Sequence, residues 1–168
     1  NLSGVSVGAT LARLLATTRH RYTYRFLFIP GTIGAIAWLS LNEAAVGRIK
    51  HGIVLACAGD RGAVTYKRSR RGNAPIDRAA VHVLEHRGNR YAVENFTPYG
   101  YDERQYCSPA FDLPVGVLSR TPYGRFPEYH TSADNLDFVE PESLADTVLT
   151  NLAILDVIEG DVTYCNLN

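Results

Sequence analysis

Leu113-Pro114-Val115-Gly116-Val117-Leu118 is short, apolar and rich in β-branched residues, the composition of a buried strand. A polar, aromatic-rich loop lies on either side. Before it comes Pro98-Tyr99-Gly100-Tyr101-Asp102-Glu103-Arg104-Gln105-Tyr106-Cys107. After it comes Glu128-Tyr129-His130-Thr131-Ser132-Ala133-Asp134-Asn135. Catalytic and binding groups concentrate on loops that a rigid strand positions. Asp102, Glu103 and His130 are the groups here with metal-ligand or proton-transfer chemistry, so an active site is expected at these two loops.

Outward from this run, strand-like and helix-like segments alternate. Val5, Val7, Leu11, Leu14 and Leu15 recur at helical spacing, with Asn1 or Ser3 available as N-cap. Residues 22–29 are aromatic and β-branched and stop at Pro30-Gly31, which predicts a strand. Residues 33–41 are small and apolar all round, as in a buried helix. Strands are expected at 51–58, 63–67 and 91–96. A helix capped by Asn73, with Pro75 in its first turn, runs to Gly88. Pro141 opens a last helix over 142–158, with Leu144, Val148, Leu152, Leu155 and Ile158 on one stripe and Gly160 as its stop. The alternation predicts an α/β fold, a three-layer α/β/α sandwich around a mainly parallel mixed sheet. Sites in such sheets form beyond the carboxyl ends of the strands.

Composition narrows the function classes. The 168 residues suit one domain spanning 1–168, and 17 basic against 17 acidic residues leave no net charge to draw the chain to nucleic acid or anionic membrane. The one basic run, Lys67-Arg68-Ser69-Arg70-Arg71, is read as a solvated turn. No apolar stretch reaches the roughly 18 residues of a membrane span. Three scattered cysteines fit a reducing cytoplasm better than a disulfide framework. The sequence has no Met and opens on Asn1-Leu2-Ser3-Gly4 directly into a helical pattern, as an internal piece of a longer polypeptide would.

Among the reactive side chains, His130 stands in a loop dense in hydrogen-bonding groups, and Glu128 or Asp134 could orient its imidazole. Asp102 and Glu103 are adjacent and therefore point in different directions. One could ligate a metal while the other accepts a substrate amine or acts as a base, or Asp102 could simply cap a helix starting at Glu103. Tyr101, Arg104 and Tyr129 are candidate substrate contacts. Cys107 has no activating partner, no phosphate loop or Gly-x-Ser-x-Gly elbow is present, and His82 and His86 read as a solvated helix face.

The chain resembles the aminopeptidase-like domain of the zinc peptidase family M28, in its bacterial DUF4910 branch. Asn1-Leu2-Ser3-Gly4-Val5 is similar to the residues following the family's bridging metal-ligand Asp. Arg25-Phe26-Leu27-Phe28-Ile29-Pro30 resembles the strand leading to its Glu-Glu pair. Tyr129-His130-Thr131-Ser132-Ala133-Asp134 matches the motif of the last zinc-ligand His. Tyr99-Gly100-Tyr101-Asp102-Glu103-Arg104-Gln105-Tyr106-Cys107 is similar to the signature of this branch.

The resemblance implies zinc, hydrolysis of an amide bond in a peptide or peptide-like substrate, and a partner in the remainder of the polypeptide: an upstream segment and a downstream winged-helix domain. It makes His130 a zinc ligand and Glu103 a ligand or base, with Asp102 beside it. The chain also departs from the family. The first His and Asp ligands would precede Asn1. The Glu-Glu pair falls on Gly31-Thr32-Ile33, and the next Asp falls near Ala56 or Cys57, with only Asp60 close. A catalytic zinc takes about three protein ligands, which this chain does not supply at the family's positions. A binding or scaffolding domain that keeps the fold without catalysis is the rival expectation.

Overall fold

The computed structural model describes residues 2–165. Helix α1 (Ser3–Leu15) is followed by an extended segment, α2 (Ile33–Leu41) and a single turn α3 (Glu43–Val46). Then come β1 (Gly52–Leu55), β2 (Val64–Lys67), α4 (Pro75–His86), β3 (Tyr91–Glu94), the short α5 (Glu103–Tyr106), β4 (Val115–Ser119) and α6 (Pro141–Gly160).

The strand read from Leu113–Leu118 is β4, and it holds the sheet together. Strand order is β1-β4-β2-β3. β1 pairs with β4 in parallel, β2 with β3 in parallel, and β2 with β4 antiparallel. All five β4 residues are buried, which explains the apolar run.

Two helical layers enclose the sheet, because successive strand side chains point to opposite faces. Ile53, Leu55, Tyr66 and Leu118 pack towards α4 and α6 with Ile76, Ala80 and Ile154. Val54 and Val115 pack on the other face with Ala35 and Leu39 of α2 and Tyr106 of α5. α1 closes the first layer, its Val7 and Leu11 meeting Leu55, Leu144 and Val148. The mixed three-layer α/β/α sandwich expected from the sequence is therefore present.

Several local expectations are corrected. Residues 23–27 alternate exposed and half-buried positions as a strand would, but Leu27 and Phe28 are both exposed, and among the described residues the segment joins no ladder. α2 is not enclosed: Ala35 and Leu39 are buried, while Ile33, Ile36 and Leu41 are exposed. Ser3 does not cap α1. It sits inside the helix, and its Oγ accepts from the Ala58 N–H at 2.9 Å; Asn1 lies outside the described residues. α4 is capped through Ala74, whose N–H donates to Asp77 Oδ2, rather than through Asn73. The innermost line of α6 is Ser143, Thr147, Thr150, Asn151, Ile154 and Ile158; Leu144, Val148 and Leu152 form the flank facing α1. Polar side chains can occupy that inner line because they bond locally, as Thr147 Oγ1 does to Ser143 O and Ala58 O. The helix also runs through Gly160.

The basic run is a solvated turn only at Arg70 and Arg71, which are exposed. Ser69 is fully buried against Asp77, Lys67 reaches Glu103, and Arg70 and Arg71 gather on Asp112. None of the described helices is long and apolar enough to cross a membrane.

Candidate active site

β2 and β3 run opposite to β1 and β4, so the carboxyl ends of the four strands do not share one edge. The loop after β3 nevertheless reaches the loop after β4. Tyr101 and Tyr129 meet hydroxyl to hydroxyl, and Tyr123 packs on both, with ring centroids 4.9 Å and 6.0 Å away. Tyr99 adds to the cluster at 5.7 Å from Tyr123, and Phe126 closes it against Tyr129 at 5.6 Å. Burial raises the Tyr101 hydroxyl above its ordinary range, with the Tyr129 hydrogen bond adding to it. The two sequence loops are thus joined by tyrosines.

The carboxylates of the first loop go in different directions, as adjacency requires. Asp102 precedes α5 but its side chain caps nothing there. Asp102 Oδ1 instead accepts from the Thr32 N–H at 2.6 Å, at the start of α2. Burial raises its pKa; the Thr32 N–H opposes that shift and the neighbouring Glu103 adds to it. Glu103 is 1% exposed, and its Oε1 accepts from Lys67 Nζ at 2.9 Å. Lys67 Nζ also donates to Thr97 O and Tyr99 O, so one ammonium fastens the whole loop to β2. Gly100 leaves room for this pair, since a Cβ there would lie 1.8 Å from Glu103 Oε1 and would displace the carboxylate. Glu103 Oε2 and Arg104 Nε are buried without a partner.

His130 is exposed, and its ring stacks on Tyr129 with centroids 3.9 Å apart. Its φ of +59° is left-handed backbone, uncommon for a residue with a Cβ. Thr32 at +56° and Cys57 at +49° share this feature. Thr32 follows the extended segment, Cys57 follows β1 and His130 follows β4; Asp112, at +43°, lies before β4. Such strain costs of the order of 1–3 kcal/mol and clusters at functional sites. Burial pushes the Cys57 thiol up to about 11, so it is a thiol at neutral pH. Asp60 is buried and occupied: it accepts from Gly62 N, Thr121 N and Thr121 Oγ1, tying the loop after β1 to the loop after β4.

Beside this region is an open cavity of about 520 Å³, bordered by Arg61, Arg125, Phe126 and Phe138. Sequence reasoning missed Lys67 and Thr32. Lys67 was concealed within a cationic run. Thr32 acts through its backbone N–H, which no side-chain motif reveals.

The residues described do not by themselves fit a zinc ion. No group of three or more His, Cys, Asp or Glu among them is arranged to hold a metal. Glu103 is engaged by Lys67, and His130 stands exposed on Tyr129.

Comparison with known proteins agrees with the fold. A Clostridium acetobutylicum protein described as a polysaccharide biosynthesis protein with an aminopeptidase-like domain is 49% identical over all 168 residues, which span 38% of its length. A Clostridium acetobutylicum crystal structure, provisionally named a peptidase, superposes with a TM-score of 0.97 at 48% identity, covering all of this chain and 40% of the other. A zinc aminopeptidase of Bacillus subtilis gives a TM-score of 0.78 at 17% identity, over 99% of this chain and 43% of its own; it shares the fold. This chain spans about two fifths of the relatives it matches. Matched over residues 1–161, it belongs to the family described as domain of unknown function DUF4910, and it has the fold of the zinc aminopeptidase of Bacillus subtilis.

Proposed function

We propose that this chain is part of a zinc-dependent aminopeptidase-like hydrolase that cleaves an amide bond of a peptide or peptide-like substrate. The observation that carries this reading is the Asp102 carboxylate on the Thr32 N–H, 2.6 Å away. By the resemblance, the family's Glu-Glu pair would fall at Gly31-Thr32-Ile33, which carry no carboxylate. Asp102 returns a carboxylate to that place from 70 residues away. Its raised pKa moves it in the direction a general base working near neutrality needs.

Glu103, enclosed with Lys67, then holds the loop, and Asp102 takes the proton from the attacking water. Tyr101, Tyr129 and Arg104 border the substrate. His130 is the imidazole this chain offers to a metal, and the remaining ligands come from the rest of the polypeptide. A zinc held by His130 together with ligands from the rest of the polypeptide would supply Lewis-acid chemistry.

A non-catalytic scaffolding role is the second reading, favoured by the absence of a three-ligand group among the described residues. The full-length protein separates the two. About one zinc per chain, lost in His130→Ala, together with a drop of at least about 100-fold in aminoacyl-amide hydrolysis in Asp102→Asn, supports the hydrolase. Absence of zinc after metal loading supports the scaffold.

A further inference from the structure

His82 and His86 are four residues apart on α4, so their side chains stand one above the other on one face of the helix. Both are exposed, while Ile76, Ala79, Ala80, Val83 and Leu84 of the same helix are buried. Packing therefore makes no use of the two imidazoles.

Their rings lie side by side, with centroids 4.3 Å apart and planes inclined at 42°. His86 Nδ1 donates to the His82 carbonyl oxygen at 2.7 Å. A carbonyl can only accept, so the proton is on Nδ1 and the Nε2 of neutral His86 carries a free lone pair. A hydrogen bond of this kind is what orients a metal-binding imidazole and fixes its tautomer. The His82 ring has no hydrogen bond among the described residues and is free to turn a nitrogen to the same point. The cations flanking the pair are engaged elsewhere: Arg78 donates to the Asn73 carbonyl oxygen at 2.8 Å, and Arg87 is held on Asp146.

We propose that His82 and His86 form a site for a late first-row divalent ion (copper, nickel or zinc), separate from the candidate active site. Imidazole nitrogen suits all three ions, and copper heads their affinity order. Once one imidazole holds the ion, the second binds it intramolecularly at high effective concentration. Water fills the remaining positions, because no group of three or more His, Cys, Asp or Glu among the described residues is arranged around a metal. Two protein ligands hold an ion less firmly than the three of a catalytic zinc site. The pair is in register only while 82–86 are helical, so the bound ion clasps the last turn of α4 and favours the folded chain. The inference stands whether or not the parent protein hydrolyses amides.

Copper(II) titration of the metal-free full-length protein carrying His130→Ala tests it, since that background lacks the imidazole of the candidate active site. Uptake of about one copper per chain is expected, with nitrogen hyperfine structure from both imidazoles in the electron paramagnetic resonance spectrum. His82→Gln and His86→Gln should each weaken binding at least about tenfold. Affinity unchanged by both substitutions would overturn the proposal, as copper held at an unrelated surface position gives that result. A spectrum with one nitrogen ligand would overturn it too. All three histidines are exposed, so none of these substitutions opens the core. Should His130→Ala not fold, the same tenfold comparison is made with His130 in place and zinc already loaded, and its absence there is equally decisive.

Discussion

Lys67 Nζ and Glu103 Oε1 are 2.9 Å apart across 36 residues, with side-chain exposures of 13% and 1%. This pair fixes the loop that carries Asp102. Removing one partner of a buried ion pair strands the other as an uncompensated charge, which costs far more than the pair itself contributes. Lys67→Met is therefore expected to destabilise the protein by about 3–5 kcal/mol, read from the urea midpoint. The double variant Lys67→Met, Glu103→Met recovers a substantial part of that loss; no recovery in the double-mutant cycle counts against the pair as described.

Asp102 gives a signed pH dependence. Its folded pKa is raised above 3.8, chiefly by burial, so the folded state holds the proton more tightly than the unfolded chain. Stability then falls as pH rises from the unfolded value through the folded one, since the native state binds more protons in that window. Asp102→Asn removes the ionisation and keeps an oxygen for the Thr32 N–H. Relative to wild type, this variant is expected to gain stability as pH rises above about 3.8 and through the raised folded value. A difference that is flat with pH in parallel urea titrations would refute the assignment.

Asp77 anchors the turn between β2 and α4. It is fully buried and accepts four hydrogen bonds, from Tyr66 Oη at 2.9 Å, Ser69 N at 2.7 Å, Ser69 Oγ at 2.6 Å and Ala74 N at 2.9 Å. Asp77→Ala leaves these donors buried without an acceptor and should cost at least about 3 kcal/mol. Tyr66→Phe removes one of the four and should cost about 1–2 kcal/mol. Thermal melts of the two variants test this order.

Gly4 marks where α1 touches β1. A Cβ there would stand 2.3 Å from the Leu55 carbonyl oxygen, a backbone atom that cannot swing away. Gly4→Ala should therefore destabilise by about 1–3 kcal/mol. Gly47, with open space around it and φ of −62°, is the control: Gly47→Ala should shift stability by no more than about 0.5–1 kcal/mol, and upward if at all. Equal melting temperatures for the two variants would refute the α1–β1 approach.

Several features of the molecule were legible in the amino-acid sequence. Short runs of strand-like composition placed β1, β2, β3 and β4, and helical spacing with Pro75 and Pro141 placed α4 and α6. These patterns are local, so neighbouring residues suffice to carry them. The two loops with Asp102, Glu103, His130, Tyr101 and Tyr129 were marked by their chemistry. Which partner each side chain takes was not marked. The Asp102–Thr32 bond spans 70 residues and the Lys67–Glu103 pair 36, and no periodicity encodes contacts at such separations. Residues 22–29 failed for the related reason that a strand is defined by its neighbour: the sequence supplies the alternation, and the ladder depends on another stretch of chain lying alongside. The sequence by itself thus determined the elements and the stock of reactive groups. Tertiary structure alone decided that Glu103 is neutralised by Lys67 while Asp102 is left facing Thr32, because burial and long-range pairing set the energy of a charge.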